Sequence, residues 1–299
     1  MTASESVPLV SVLTPVYNAE AYLDEMLASL RRQTLTDFEV VLVDDGSSDA
    51  SGSMLQRAVQ VDPRFRLLSL PSNQGIVAAL NHGLETCRGT YVARMDADDI
   101  AFPDRLERQV GYMEKHPEVV ALSTSLAYID SAGRSLGKVR RTAPTGSLLR
   151  ANPLLHPSAM FRSEVLRNAG LLYRSEFALA EDYYLWLEFS RHGRLGTLDE
   201  VTVLYRVSPS TLRARRLKRM LRATLKVKWA AAQRLGFRWR LTDLLAFSAE
   251  VGLLALPTGV VWQLYLRTMF GAQGWRAGMQ TSATRRREAF DSPRAGGGG

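Results

Sequence analysis

The chain has 299 residues, a formal net charge of +8, and hydrophobic and charged fractions of 46% and 23%, close to the globular average. Such a composition excludes a disordered, collagen-like or low-complexity chain, and the length fits one large domain or a domain with an appendage. The single cysteine, Cys87, excludes an internal disulfide framework and a cysteine-based zinc site. Residues 9–14 read as a strand, followed by Asn18 as an N-cap and by Tyr22, Leu23, Met26, Leu27 and Leu30 at helical spacing. A second buried strand covers Phe38 to Val43 and closes in the loop Asp44-Asp45-Gly46-Ser47-Ser48-Asp49. A helix over 50–61, a strand over 66–70, a helix over 75–86 and a strand over 91–95 continue the alternation, then a helix over 103–116 opening on Pro103 and a strand over 119–129. This order predicts an α/β fold, a mostly parallel sheet with helices on both faces, whose ligands gather at the carboxyl ends of the strands. The stretch 152–206 is mixed, with one clear helix from Glu181.

Beyond Val207 the character changes. Residues 1–200 carry 20 basic and 26 acidic residues, whereas 201–299 carry 18 basic and four acidic. Between Arg213 and Arg240 there are eleven Lys/Arg and no acid, interleaved with Leu217, Met220, Leu221, Leu225 and Trp229. That pattern points to an anionic membrane surface, with Trp229, Trp239 and Trp262 suited to the headgroup layer; the alternative is a basic face on a helix packed against the rest of the chain. Nucleic acid is disfavoured because no base-reading module accompanies the charge. Residues 244–266 are nearly apolar but interrupted by Glu250 and Pro257-Thr258-Gly259, which favours two short interfacial helices over one membrane span. The expected division is a nucleotide-binding domain over 1–210, a basic helical membrane-association region over 211–282 and a disordered tail over 283–299. No secretory leader is recognisable, so a cytoplasmic protein, peripheral on the inner face of the membrane, is expected.

Three loops carry the chemistry. Met95-Asp96-Ala97-Asp98-Asp99 follows a strand and places three carboxylates within four residues, which repel one another unless a cation offsets them. Mg²⁺ or Mn²⁺ suits such oxygen donors and keeps positions for phosphate oxygens; a plain solvated turn is the alternative. Asp44-Asp45-Gly46-Ser47 offers a carboxylate to a base N–H, or merely caps the next helix. Thr14-Pro15-Val16-Tyr17-Asn18 ends the first strand with Tyr17 as a stacking face, or as packing.

In this order, and together with Asn73-Gln74-Gly75, His156-Pro157-Ser158-Ala159-Met160-Phe161, Ala180-Glu181-Asp182-Tyr183-Tyr184-Leu185-Trp186-Leu187 and Tyr205-Arg206-Val207, the motifs resemble the family-two glycosyltransferases of the GT-A fold over roughly residues 8–210. The resemblance implies a nucleotide-sugar donor, usually uridine-linked, a glycan or lipid-linked acceptor, and an inverting transfer in cell-surface polysaccharide or lipid-linked glycan synthesis. By the same resemblance Thr14, Pro15, Tyr17, Asp44, Asp45, Asn73 and Asp96 would hold the nucleotide, Asp98 the metal, and Asp182 would be the catalytic base, with His156 and Glu181 on the acceptor side. Many relatives carry a histidine after Tyr-Arg-Val, where this chain has Ser208, so metal coordination beyond Asp98 is the weakest part of the carry-over. A dinucleotide G-x-G-x-x-G and a phosphate-binding P-loop are both missing, which argues against an oxidoreductase or a P-loop kinase. Thr14 to Asn18 lacks the glycines a nucleotidyltransferase loop would want. The alternative of another class is a nucleotide-sugar-binding or membrane-scaffold protein without catalysis.

Overall fold

The computed structural model describes residues 7–139, 147–207 and 214–264. In chain order its elements are β1 (Val10–Val16), α1 (Leu23–Arg31), β2 (Phe38–Asp44), α2 (Ser51–Val61), β3 (Phe65–Ser69), α3 (Ile76–Thr86), β4 (Tyr91–Arg94), β5 (Ile100–Ala101), α4 (Arg105–Lys115), β6 (Val119–Ile129) and β7 (Ser135–Val139). They continue with β8 (Met160–Arg162), α5 (Ser163–Asn168), α6 (Glu181–Phe189), β9 (Arg194–Arg206), α7 (Ala214–Arg234) and α8 (Leu241–Ala255). One sheet runs β3-β2-β1-β4-β8-β6-β9-β5, with β7 paired to β6. The pairs β2/β3, β1/β2, β1/β4 and β6/β9 are parallel; β8, β7 and β5 pair antiparallel. The α/β class and the two-sided cover match the expectation.

Strands β1, β2 and β6 are buried at every position, as their unbroken apolar runs require of strands covered on both faces. On one face Leu23, Met26, Leu27 and Leu30 of α1, Met54 and Leu55 of α2, and Leu106, Val110 and Met113 of α4 fill the core. On the other face Leu80 and Leu84 of α3, Leu166 of α5, and Leu185, Trp186 and Phe189 of α6 do so. Three elements differ from the sequence reading. Asn18 does not cap α1, which starts at Leu23 behind Tyr22; Asn18 instead takes a left-handed φ of 49°. Helix α4 starts at Arg105, two residues after Pro103. The 13-residue β9, hidden in the stretch read as mixed, lies parallel to β6 along its length.

The C-terminal helices are not an independent module. Val227, Ala230 and Ala231 of α7 share a core with Tyr183, Tyr184 and Leu187 of α6 and with Phe177. Trp239 also joins this cluster, partly buried, and meets Phe247 of α8 edge-on, ring centroids 5.1 Å apart, whereas Trp229 is 55% exposed. Helix α8 ends before Leu256-Pro257, and a new helical stretch begins at residue 258. Among the described residues no helix is long and apolar enough to cross a membrane. Ser208 and residues 283–299 lie outside the described residues.

At the amino-terminal end of the sheet, Glu39 of β2 accepts hydrogen bonds from Ser11 Oγ (2.7 Å), Arg88 N (2.8 Å), Arg88 Nε (2.9 Å) and Arg66 Nη1 (3.0 Å). Burial alone would raise its pKa, but these donors outweigh burial and hold it below the usual 4.5. The stabilisation is therefore complete above the unfolded value and is lost as pH falls through the lower folded one. Glu39→Gln should cost about 1–3 kcal/mol at pH 7, and its melting temperature should fall less than the wild type's as pH drops from 5 to 3, as read by thermal melts across that range.

Candidate active site

The candidate site lies where the theory of parallel sheets puts ligands, at the carboxyl ends of β1, β2, β3 and β4. Its first wall is made by interlocked loops. The left-handed backbone at Asn18 lets its carboxamide accept from Ser48 N (2.8 Å) while its own N–H donates to Ser47 Oγ (3.1 Å). Asp44 Oδ1 accepts from Ser47 N at 3.0 Å, closing the loop after β2. Asp45 Oδ1 and Oδ2 accept from Gln74 N (2.7 Å) and Gly75 N (2.9 Å), clamping the turn before α3. Gly46, at φ 67°, sits so close to that turn that a Cβ would lie 2.6 Å from Ser72 C. Only glycine satisfies both constraints there.

The second part is the acid turn after β4. Asp99 N bonds back to Asp96 O, and Asp99 is fully buried, with Oδ1 accepting from Arg206 N at 2.8 Å and Oδ2 left without a hydrogen-bond partner. Burial first, and the Asp96 charge second, push Asp98 up to about 6; the same two causes, with Asp98 added, raise Asp99 well above the usual carboxylate range. Three buried arginines lie against this turn. Arg94 Nη2 donates to Asp96 Oδ1 at 2.6 Å. Arg105 Nη2 donates to Arg94 O at 2.6 Å and its Nη1 to Met95 Sδ at 3.0 Å. Arg206 Nε donates to Asp98 O at 2.8 Å, its Nη1 to Asp130 O and Ser131 O, and its Nη2 to Glu25 of α1, while the guanidinium covers the Tyr22 ring at 4.5 Å. Their exposures are 2%, 0% and 1%.

These observations test the expected cation. Among the described residues no group of three or more His, Cys, Asp or Glu side chains is arranged to hold a metal ion by itself. What the turn does offer is an orphaned buried oxygen on Asp99 and carboxyls whose mutual repulsion disfavours ionisation, both of which a divalent ion would relieve. The residues present fit a cation that draws its remaining ligands from a phosphate and water.

The third part comes from the chain's later half. Helix α6 opens with Glu181 and Asp182 in its first turn, directly after Leu179, whose φ of 78° places a bulky residue in the left-handed region. Asn152 Nδ2 donates to Asp182 Oδ2 at 2.8 Å. Burial, then the charge of Asp182, raises Glu181, and Arg94 works against that shift. His156 Nε2 and the Tyr173 hydroxyl share a 2.8 Å hydrogen bond, and Tyr173 is fixed by the Asn81 carboxamide, which bonds both its N–H and its carbonyl. Burial, then the Arg94 charge, holds His156 well below its usual pKa, so it is neutral at pH 7. Arg94 is thus the hub: it bonds Asp96 and its charge reaches Asp98, His156, Tyr173 and Glu181.

Set against the sequence, Tyr17 is half-exposed just after β1, Asn73 is exposed, and Asp96 and Asp98 are partly exposed. Thr14 and Pro15 are buried inside β1, in register with Leu42 and Val43. Asp45 is buried with both oxygens turned to the loop amides, so it shapes the pocket wall. Sequence reasoning missed Arg94, Arg105 and Asn152, and noted Arg206 only within the Tyr205-Arg206-Val207 motif, without a role. For Arg94 the signal was legible: one charge interrupting the buried run Tyr91-Val92-Ala93 just before the acids. A depression of about 400 Å³ lined by Pro117, Arg162 and His192 lies at the opposite, amino-terminal edge of the sheet, away from these acids.

Comparison with known proteins places the site in context. Residues 11–166 match the family model described as Glycosyl transferase family 2. The chain is 35% identical to the amylovoran biosynthesis glycosyltransferase AmsE of Erwinia amylovora over 69% of this chain and 79% of that protein. Among solved structures it resembles S. aureus TarS in complex with UDP (TM-score 0.58, 24% identity, 73% of this chain) and spans 64% of that chain, less than two thirds. It also resembles the mannosyltransferase PcManGT of Pyrobaculum calidifontis in complex with GDP-Man and Mn²⁺ (TM-score 0.60, 21% identity, 94% of this chain and 81% of that one). Arg206→Lys keeps the charge but loses the fork that joins Asp98, Asp130, Ser131 and Glu25. It should cost about 1.5–3 kcal/mol in thermal unfolding and weaken the stabilisation gained from added Mn²⁺.

Proposed function

Since this chain belongs to glycosyltransferase family 2, we propose that it moves a sugar from a nucleoside diphosphate, uridine-linked, to an acceptor hydroxyl with inversion at the anomeric carbon, serving polysaccharide or lipid-linked glycan synthesis. The observation that carries this reading is buried Arg94, which bonds Asp96 and whose charge acts on Asp98 of the same turn and on Glu181 at the start of α6. The turn suits a diphosphate, the start of α6 an incoming hydroxyl.

Each residue then has a task. Tyr17 and the rim at Asn73 receive the base, with the loop after β2 as its wall. Asp96, held by Arg94, accepts from the ribose hydroxyls. Asp98, with Asp99 beside it, would hold Mg²⁺ or Mn²⁺, which would supply positive charge to offset that of the leaving diphosphate. Asp182 takes the acceptor proton, its carboxylate oriented by Asn152 and its charge favoured by the helix N-terminus. One base and one direct displacement invert the anomeric centre. Glu181, raised by burial, and neutral His156 contribute hydrogen bonds on the acceptor side. The uncovered basic and apolar C-terminal surface supports work at a membrane surface, from the cytoplasmic side, on an acceptor anchored in lipid.

The test separates binding from chemistry. Asp182→Asn should lower transfer about 10²–10⁴-fold while UDP plus Mn²⁺ still raises the melting temperature, as mass action requires of any ligand bound to the folded state. Asp98→Asn should remove the Mn²⁺-dependent part of that rise. Transfer at the wild-type rate by the Asp182 variant would refute the base assignment, and no shift with any nucleoside diphosphate would refute the donor.

A further inference from the structure

Helix α8 is inside out. Its exposed positions are Leu241, Leu244, Leu245, Ser248, Ala249, Val251, Gly252 and Ala255, with Thr242 at the border, and at 100° per residue they cover one half of the cylinder. No charged residue stands on that half. The two acids of α8 point the other way: Asp243 is 1% exposed, and Glu250 takes both its oxygens to the buried Lys228 Nζ at 2.6 and 2.7 Å. A helix on a water-facing surface does the reverse, turning its apolar stripe inward and its charges out. Leu241 and Leu245 are 74% and 63% exposed, and the uncovered apolar surface continues through Leu256, Val260 and Leu264. Scattered exposed leucines need no explanation, but a contiguous apolar half-helix does.

Cations stand at both ends of this face. Exposed Arg238 and Arg240 directly precede the first turn of α8. At the other end Lys218 Nζ donates to Leu254 O at 2.9 Å, which brings the first half of α7, with exposed Arg219 and Arg222, beside the last turn of α8. Of the apolar residues of α7, Leu225, Val227, Ala230 and Ala231 are buried against the rest of the chain, while Met220 and Trp229 stay 37% and 55% exposed. We propose that the outward half of α8, flanked by Arg238/Arg240 and Arg219/Arg222, is the face that docks on an anionic lipid bilayer. The proposal rests on the membrane-surface reading above and specifies the element responsible.

Charge selects this occupant. Leucines entering the acyl boundary and guanidinium groups at the headgroup level both find partners in a bilayer containing anionic lipid. A second copy of the chain would bring the same arginines against each other, with no acid on either face to answer them. A nucleic acid would leave the leucines in water.

The full-length chain is sedimented with phosphatidylcholine vesicles that contain or lack phosphatidylglycerol. The wild type should partition onto the anionic vesicles, more weakly as salt rises, and poorly onto the neutral ones. The double variant Leu244→Glu/Leu245→Glu, at solvent-facing positions, should keep its melting temperature and its shift with UDP and Mn²⁺ while its partitioning drops about tenfold or more. Undiminished binding by this variant would overturn the assignment to α8 and leave membrane association standing. No binding by the wild type would overturn both. A wild-type dimer in light scattering that the variant dissolves, without vesicle binding, would reassign the face to a second copy.

Discussion

The site depends on an electrostatic bargain struck beneath the turn after β4. Three aspartates within four residues are held in a largely buried position, which neither solvation nor hydrogen bonding alone would allow. Three guanidinium groups with almost no exposure, from Arg94, Arg105 and Arg206, are packed against them. Arginine suits this place because it stays charged and presents a fan of donors that fits carbonyls and carboxylates at once. Even Arg105, pulled down to about 9 by burial, remains protonated at neutral pH. The balance is incomplete, since burial and the neighbouring charges still raise Asp98 and Asp99, a strain that a further cation would relieve.

The arginines also join distant parts of the chain. Arg206 sits at the end of β9 and ties together the acid turn, the β6–β7 connection and α1. Arg94 joins the acid turn to the later pair Glu181–Asp182 through its field. The C-terminal helices add a third tie. Lys228 of α7 donates to Arg150 O at 2.9 Å, two residues before the Asn152 that orients Asp182. The basic extension therefore braces the loop from which Asn152 reaches Asp182.

The first half of the chain was legible because its signals are local. Short apolar runs such as Phe38 to Val43 can only be covered strands, and glycine-bearing acidic loops punctuate them, so β1 to β4, α2 and α3 fall within a residue or two of expectation. What escaped has a common cause: it depends on contacts between residues far apart. Strand β9 reads as mixed because Asp199 and Glu200 interrupt it, and only its pairing with β6 makes it one long strand. Arg206 looks like an ordinary charge until the fold buries it 107 positions from Asp99. Asp45 reads as a base-binding carboxylate, yet two loop amides 29 and 30 residues away claim it. Carboxylates announce their chemistry in a sequence; which partner reaches them first is decided in three dimensions.

The contact at Gly46 has a consequence for diversification. Because the backbone at Ser72 and Asn73 leaves no room for a side chain there, the loop after β2 and the loop before α3 form one surface made from two stretches of chain. Neither can be lengthened or reshaped alone. On the proposed assignment of this wall to the nucleobase, a change in base preference would have to arise through paired alterations in both loops, so donor choice in this scaffold should drift slowly.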